Sequence, residues 1–203
     1  GVDSFITDDG AATLLIADYE SGLVRRMFQA SRDEFAVGPT FGAASPTELT
    51  VGFDRDANGN ITGISIRHAA GPEHTATRVA IAEHEVTFTS ETARLAGTLI
   101  VPAFGRERPA ITLLHGSGPL TRHSFGPYPY FFASLGFAVL VYDKRGTGGS
   151  TGTRLDASTG RAMVPEIYPT GILSDAVGAF RFLQTRSEID PAKIGFWGSS
   201  EGG

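Results

Sequence analysis

Two rhythms of apolar and polar positions divide this chain. Up to about residue 101, short stretches at 13–17, 49–53, 61–66 and 86–89 carry β-branched and aromatic residues that alternate, in part, with polar ones. A period of two sends successive side chains to opposite faces, so these stretches are expected to be strands of an antiparallel sheet or partly closed barrel, separated by turn residues. A weak helical spacing is expected near Leu23 to Gln29. From residue 95 the runs become more uniformly apolar: 95–102, 110–114 and 138–142 read as strands, the last two as strands buried on both faces. Between them, helices are expected at about 128–135 and at 172–186, the second with Ala176, Phe180 and Leu183 on one side. Asp190-Pro191 is expected to turn the chain into a final strand ending at Trp197. Strand, helix, strand, helix, strand implies right-handed crossovers and a parallel sheet. The expected fold class is therefore α/β, with a small antiparallel β domain over residues 1–90 and the N-terminal part of an α/β domain over residues 91–203.

Chemistry gathers at the ends of the buried strands. Gly198-Ser199-Ser200-Glu201-Gly202 follows the last strand and fits G-x-S-x-G, in which a sharp turn lifts a serine oxygen above the sheet and small neighbours let the backbone pass closely. Register selects Ser200 as the nucleophile, because Ser199 would be flanked by Trp197 and Glu201. Strand 110–114 runs into His115-Gly116-Ser117-Gly118-Pro119, a loop whose glycines let the backbone approach a substrate. Acyl transfer places negative charge on a carbonyl oxygen, and each aligned N–H that meets it contributes about 3 kcal/mol. The amides of Ser117 and Glu201 are assigned that role, with the Glu201 side chain directed away from the reaction. His115, at a strand end and before the serine in sequence, is read as holding its loop by a hydrogen bond rather than as the general base. In the loop after 138–142, Asp143 and Arg145 are read as a buried pair bracing that loop. Gly116, Gly118, Gly198 and Gly202 complete the structural support.

Other signals narrow the choice. Asp54, Asp56, Asn58 and Gly59 match the opening of a calcium-binding EF-hand loop, but position twelve is Ser65 rather than a bidentate Glu and the flanks read as strands. An Asn-Gly hairpin turn is the expectation there. His68, His74, His84 and His123 have no metal-ligand spacing, and neither metal nor cofactor is expected. A net charge of -5, with Arg25-Arg26 as an isolated basic pair, argues against nucleic acid as a partner. With no cysteine there is no disulfide framework, which leaves the compartment open. The apolar runs are too short to span a membrane, and the proportions of 41% hydrophobic and 19% charged residues suit a globular chain.

Taken together, His115 to Pro119, Tyr142 to Gly152 and Gly195 to Gly203 resemble the α/β-hydrolase superfamily over about residues 85–203, in particular its esterase and acyl-peptidase branch, related to dienelactone hydrolases and prolyl-oligopeptidase-type enzymes. The run from Phe53 to Ile64 resembles a hairpin of small lipocalin-like domains appended to hydrolases. The resemblance implies a serine hydrolase that cleaves carboxylic esters, with peptides or amides second, through an acyl-enzyme. An acyltransferase or a non-catalytic scaffold is the alternative. The family places its acid and histidine after the serine, whereas only three residues follow Ser200 here. The expectation is therefore of a fragment that lacks its base and, alone, associates and turns over p-nitrophenyl acetate no faster than its Ser200→Ala variant.

Overall fold

A computed structural model describes residues 2–6, 12–19, 21–154 and 171–203. Contacts divide the chain into two compact units, Gly1–Val79 and Ala80–Gly203.

The first unit is wholly antiparallel. β1 (Val2–Ile6), β2 (Ala12–Asp18) and β3 (Leu23–Arg26) form one sheet. β4 (Phe28–Gln29), β5 (Glu34–Val37), β6 (Leu49–Arg55), β7 (Ile61–His68) and β8 (Glu73–Thr77) form a second as a meander. Its core is small: Ile16, Met27, Phe35, Val37, Leu49 and Val51 are buried together, and Phe35 meets Phe53 edge to face. The helical spacing expected near Leu23 to Gln29 is not realised. That stretch pairs with β2 instead, Leu15 opposite Arg26 and Ala17 opposite Val24, and burial of Met27 outweighs a propensity too weak to nucleate a helix. At the β6–β7 hairpin, Asp56 closes the turn: its Oδ1 accepts from the N–H groups of Asn58 and Asn60 at 2.9 and 2.8 Å, and its Oδ2 from the Asn60 amide.

The second unit is a five-stranded mixed sheet. β9 (Ile81–Ser90), β10 (Ala93–Pro102), β11 (Arg108–Leu114), β12 (Ala138–Tyr142) and β13 (Ile189–Gly198) lie in the order β13-β11-β12-β10-β9. Only β11, β12 and β13 are mutually parallel; β10 runs antiparallel to β12 and to β9, so the sheet is not parallel throughout. Residues 81–90, which the alternation grouped with the first half, pair over ten positions with β10, so the division between units falls after Val79 rather than at 90. Asp190-Pro191 lies inside β13, where the register with β11 slips and the Asp190 carboxylate accepts from the Ala192 N–H.

Alternation along the strands builds two cores. Leu95, Leu99, Leu140 and Tyr142 face one side with Ala179 and Leu183 of α2 (Ile172–Gln184). Ile100, Ile111, Leu113, Val139 and Val141 face the other with Phe125 and with Ala133 of α1 (Tyr128–Ser134). A fully buried Leu contributes about 1.5–3 kcal/mol, so these layers fix the positions of the strand ends. At those ends β11, β12 and β13 deliver His115, Asp143 and Ser200 to one edge of the sheet.

Candidate active site

β13 leads into a tight turn. Ser199 is extended, with φ -120°, and the chain then reverses at Ser200, whose φ of 56° lies in the left-handed region. A non-glycine residue held there costs about 1–2 kcal/mol, so the surrounding backbone must impose it. It does so through glycine. A Cβ at Gly198 would strike the Gly202 carbonyl, and one at Gly202 would come within 2.5 Å of the Leu114 oxygen and 2.8 Å of the His115 oxygen. The Ser199 N–H donates to the Leu114 carbonyl at 3.2 Å, and a single 3-10 turn, Ser200–Gly202, follows. Ser200 is left exposed at the apex of the turn.

The loop after β11 passes beside this apex. A Cβ on Gly116 would lie 3.2 Å from the Ser200 Cβ and 3.8 Å from its Oγ. Gly116 and Gly118 are buried, Gly118 with φ 105°, whereas Ser117 between them is exposed. His115 is 4% exposed, stacked on Phe125 at 4.1 Å, and its neutral ring donates from Nε2 to the Tyr142 carbonyl at 2.7 Å. Burial is the main reason its pKa is pushed down to about 4, with the nearby Lys144 charge adding to it. The ring therefore ties the end of β11 to the end of β12 and is uncharged at neutral pH.

Asp143 and Arg145 do not pair with each other. Asp143 is buried with its Oδ1 accepting from the Arg122 N–H at 2.9 Å and its Oδ2 from the Gly149 N–H at 2.8 Å, which closes the loop after β12 on itself. Arg145 points instead to α2, where it meets both carboxylate oxygens of Asp175 at 2.7 and 3.3 Å and the hydroxyls of Ser90 and Ser174. Past Tyr142 the chain leaves strand geometry and turns, the Thr147 N–H donating to the Lys144 carbonyl at 2.9 Å, so a spacing of two in sequence did not make a contact. Sequence reasoning missed Asp175 and Lys144. The Lys144 ammonium, between them in sequence and buried, donates to the Gly116 carbonyl at 2.7 Å and to Glu201 Oε2 at 3.3 Å. The Glu201 carboxylate is itself 5% exposed, so this side chain is part of the interior of the site. The one signal for Lys144 was a lysine directly after five apolar residues and Asp143.

His68 on β7 and His74 on β8 are exposed and meet edge to face at 6.0 Å. Among the described residues no group of three or more His, Asp or Glu is placed to hold a metal ion, and no helix is long and apolar enough to cross a membrane.

An open mixed sheet with its second strand reversed, a helix on each face, and a left-handed serine between glycines at the end of its last strand define the α/β-hydrolase fold. No family model matches the chain. Among curated proteins, an uncharacterised protein of Mycobacterium tuberculosis is 29% identical over 135 residues, 66% of this chain and 43% of that protein. The quorum-quenching protein AidA of Acinetobacter baumannii is 27% identical over 119 residues, 59% of this chain and 36% of that protein. The chain thus spans less than half the length of these relatives. Among solved structures, a dienelactone hydrolase-like promiscuous phosphotriesterase from metagenomic libraries is similar with a TM-score of 0.46 and 19% identity, over 61% of this chain and 51% of that one.

Proposed function

We propose that this chain carries the nucleophile and the oxyanion site of a serine hydrolase that cleaves carboxylic esters, and secondarily peptides or amides, through an acyl-enzyme. The observation that carries the reading is the conformation of Ser200: a non-glycine residue at φ 56°, exposed at the end of a parallel strand and pressed against the Gly116 loop. Strain of this kind persists where a side chain must be aimed, and here it aims a hydroxyl. In this reading Ser200 Oγ bonds to the substrate carbonyl carbon, its proton passes to an imidazole that follows it in chain order as in this fold, and the carbonyl oxygen becomes an oxyanion. The amides of Ser117 and Glu201 meet that charge. Collapse of the intermediate expels the alcohol or amine, which takes up the proton, and water then releases the acid. His115 is not the base: its Nε2 hydrogen is committed to Tyr142, and a pKa of about 4 makes it a weak proton acceptor at neutral pH.

The test compares Ser200→Ala with Ser199→Ala in the protein at its natural length. Loss of a nucleophile lowers turnover of a small activated ester by roughly 10⁴-fold or more, while the Ser199 variant stays near the parent. Activity that survives Ser200→Ala but disappears in Ser199→Ala would reverse the assignment.

A further inference from the structure

We propose that Lys144 is a positioning residue that sets the direction and spacing of the two oxyanion amides; this rests on the reading of Ser200 as nucleophile. Among the described residues, three ties converge on it. Its ammonium donates to the Gly116 carbonyl at 2.7 Å, the same ammonium meets Glu201 Oε2 at 3.3 Å, and its own backbone N–H donates to the Leu120 carbonyl at 3.2 Å. Gly116 and Leu120 bracket Ser117, so one residue grips that loop on both sides of its exposed tip.

The geometry of the peptide bond turns this grip into aim. In a trans peptide plane the C=O and N–H point in opposite directions, and the Gly116 carbonyl shares its plane with the Ser117 N–H. Fixing the Gly116 oxygen on the ammonium therefore directs the Ser117 N–H away from Lys144. The contact with Glu201 does the corresponding work on the other wall, anchoring the residue whose N–H follows Ser200. Side chains 7% and 5% exposed hold this pair, and a buried ammonium is strongly penalised if it leaves its partners. The lysine is thus a rigid spacer between a loop and an elbow 57 residues away in sequence from it. A hydrogen bond to an oxyanion is lost over fractions of an ångström, so a change in this spacing acts on the transition state and hardly on substrate binding.

The experiment measures kcat and KM for p-nitrophenyl acetate in the protein at its natural length and in Ser200→Ala, Lys144→Met, Glu201→Gln and the Lys144→Met/Glu201→Gln double variant. Melting curves establish that each variant is folded. The expected result is a fall in kcat of about 10²-fold for Lys144→Met and about 10-fold for Glu201→Gln, with KM little changed. The double variant falls no further than Lys144→Met, because the pair acts as one unit. A folded Lys144→Met enzyme with parental kcat overturns the proposal. If that variant does not fold, parental kcat in Glu201→Gln overturns it. Effects that multiply in the double variant, or that appear in KM alone, also contradict it. Turnover undiminished in Ser200→Ala sinks the nucleophile reading, and the proposal with it. Loss of turnover in Ser200→Ala beside a normal Lys144→Met sinks the proposal alone.

Discussion

Charge is placed in opposite ways in the two units. In Gly1–Val79, Arg55 meets Asp33 and Arg67 meets Glu73 at the surface, and every residue of β8 is exposed. In Ala80–Gly203, Asp143, Lys144 and Asp175 are all but excluded from solvent, and their partners include the Gly116 carbonyl after β11, Arg145 after β12 and Glu201 after β13. Exposed pairs contribute little to stability because water screens them and long side chains lose entropy in holding them. Buried pairs are penalised by desolvation and persist only where geometry satisfies every partner. The first unit is built for its ladder of strands, whereas the second tolerates costly interior charge at the edge of the sheet that presents Ser200.

The largest expected effect comes from moving the boundary. Removing residues up to Val79 should leave a cooperatively unfolding second unit, followed by circular dichroism in urea. Removing residues up to Ser90 takes β9 from its ten paired positions on β10 and removes Phe88, whose loss alone costs about 3–5 kcal/mol. Equal stability of the two truncations would show that β9 does not belong to the second unit.

Next comes Arg145→Met, which leaves Asp175 buried without its guanidinium. Breaking such a pair costs about 3–5 kcal/mol, read as a shift of the urea midpoint at unchanged slope. A midpoint that stays in place would mean that Asp175 finds water.

His115 makes the contrast depend on pH. Its folded pKa of about 4 lies below the ordinary 6.5, so between these values the unfolded chain binds the extra proton. The stability that follows is fully present above pH 6.5 and is lost as pH falls toward 4, by up to about 3 kcal/mol at 1.36 kcal/mol per unit. His115→Gln should flatten that part of the pH-stability curve; the parental slope in this variant would exclude His115 as its source. The smallest effect belongs to the first unit: Arg55→Met, though it breaks the contact with Asp33 at 2.7 Å, should leave the unfolding midpoint unmoved.

What was legible in the sequence follows the range of the forces involved. Strands 110–114 and 138–142 announce themselves because burial on both faces demands apolar runs, and Gly198 and Gly202 are readable because backbone crowding around Ser200 leaves no room for a Cβ, while Gly116 would allow one only in tight contact with Ser200. β9 was harder to place. As an edge strand it buries only Phe88 and Ser90, so its first half carries no apolar alternation to connect it with β10. The network around the loop after β12 was illegible for a different reason. Lys144 meets Glu201 across 57 positions and Arg145 meets Asp175 across 30, so their partners depend on how the strands are ordered, which local pattern does not encode.

Treating the protein at its natural length with a fluorophosphonate, and locating the adduct by peptide mass spectrometry, tests whether Ser200 is the reactive oxygen. The expected result is a single phosphonylated residue, Ser200, with Ser199 unmodified in the same peptide. An adduct on Ser199 or Ser117, or no adduct on a protein that hydrolyses esters, would contradict it.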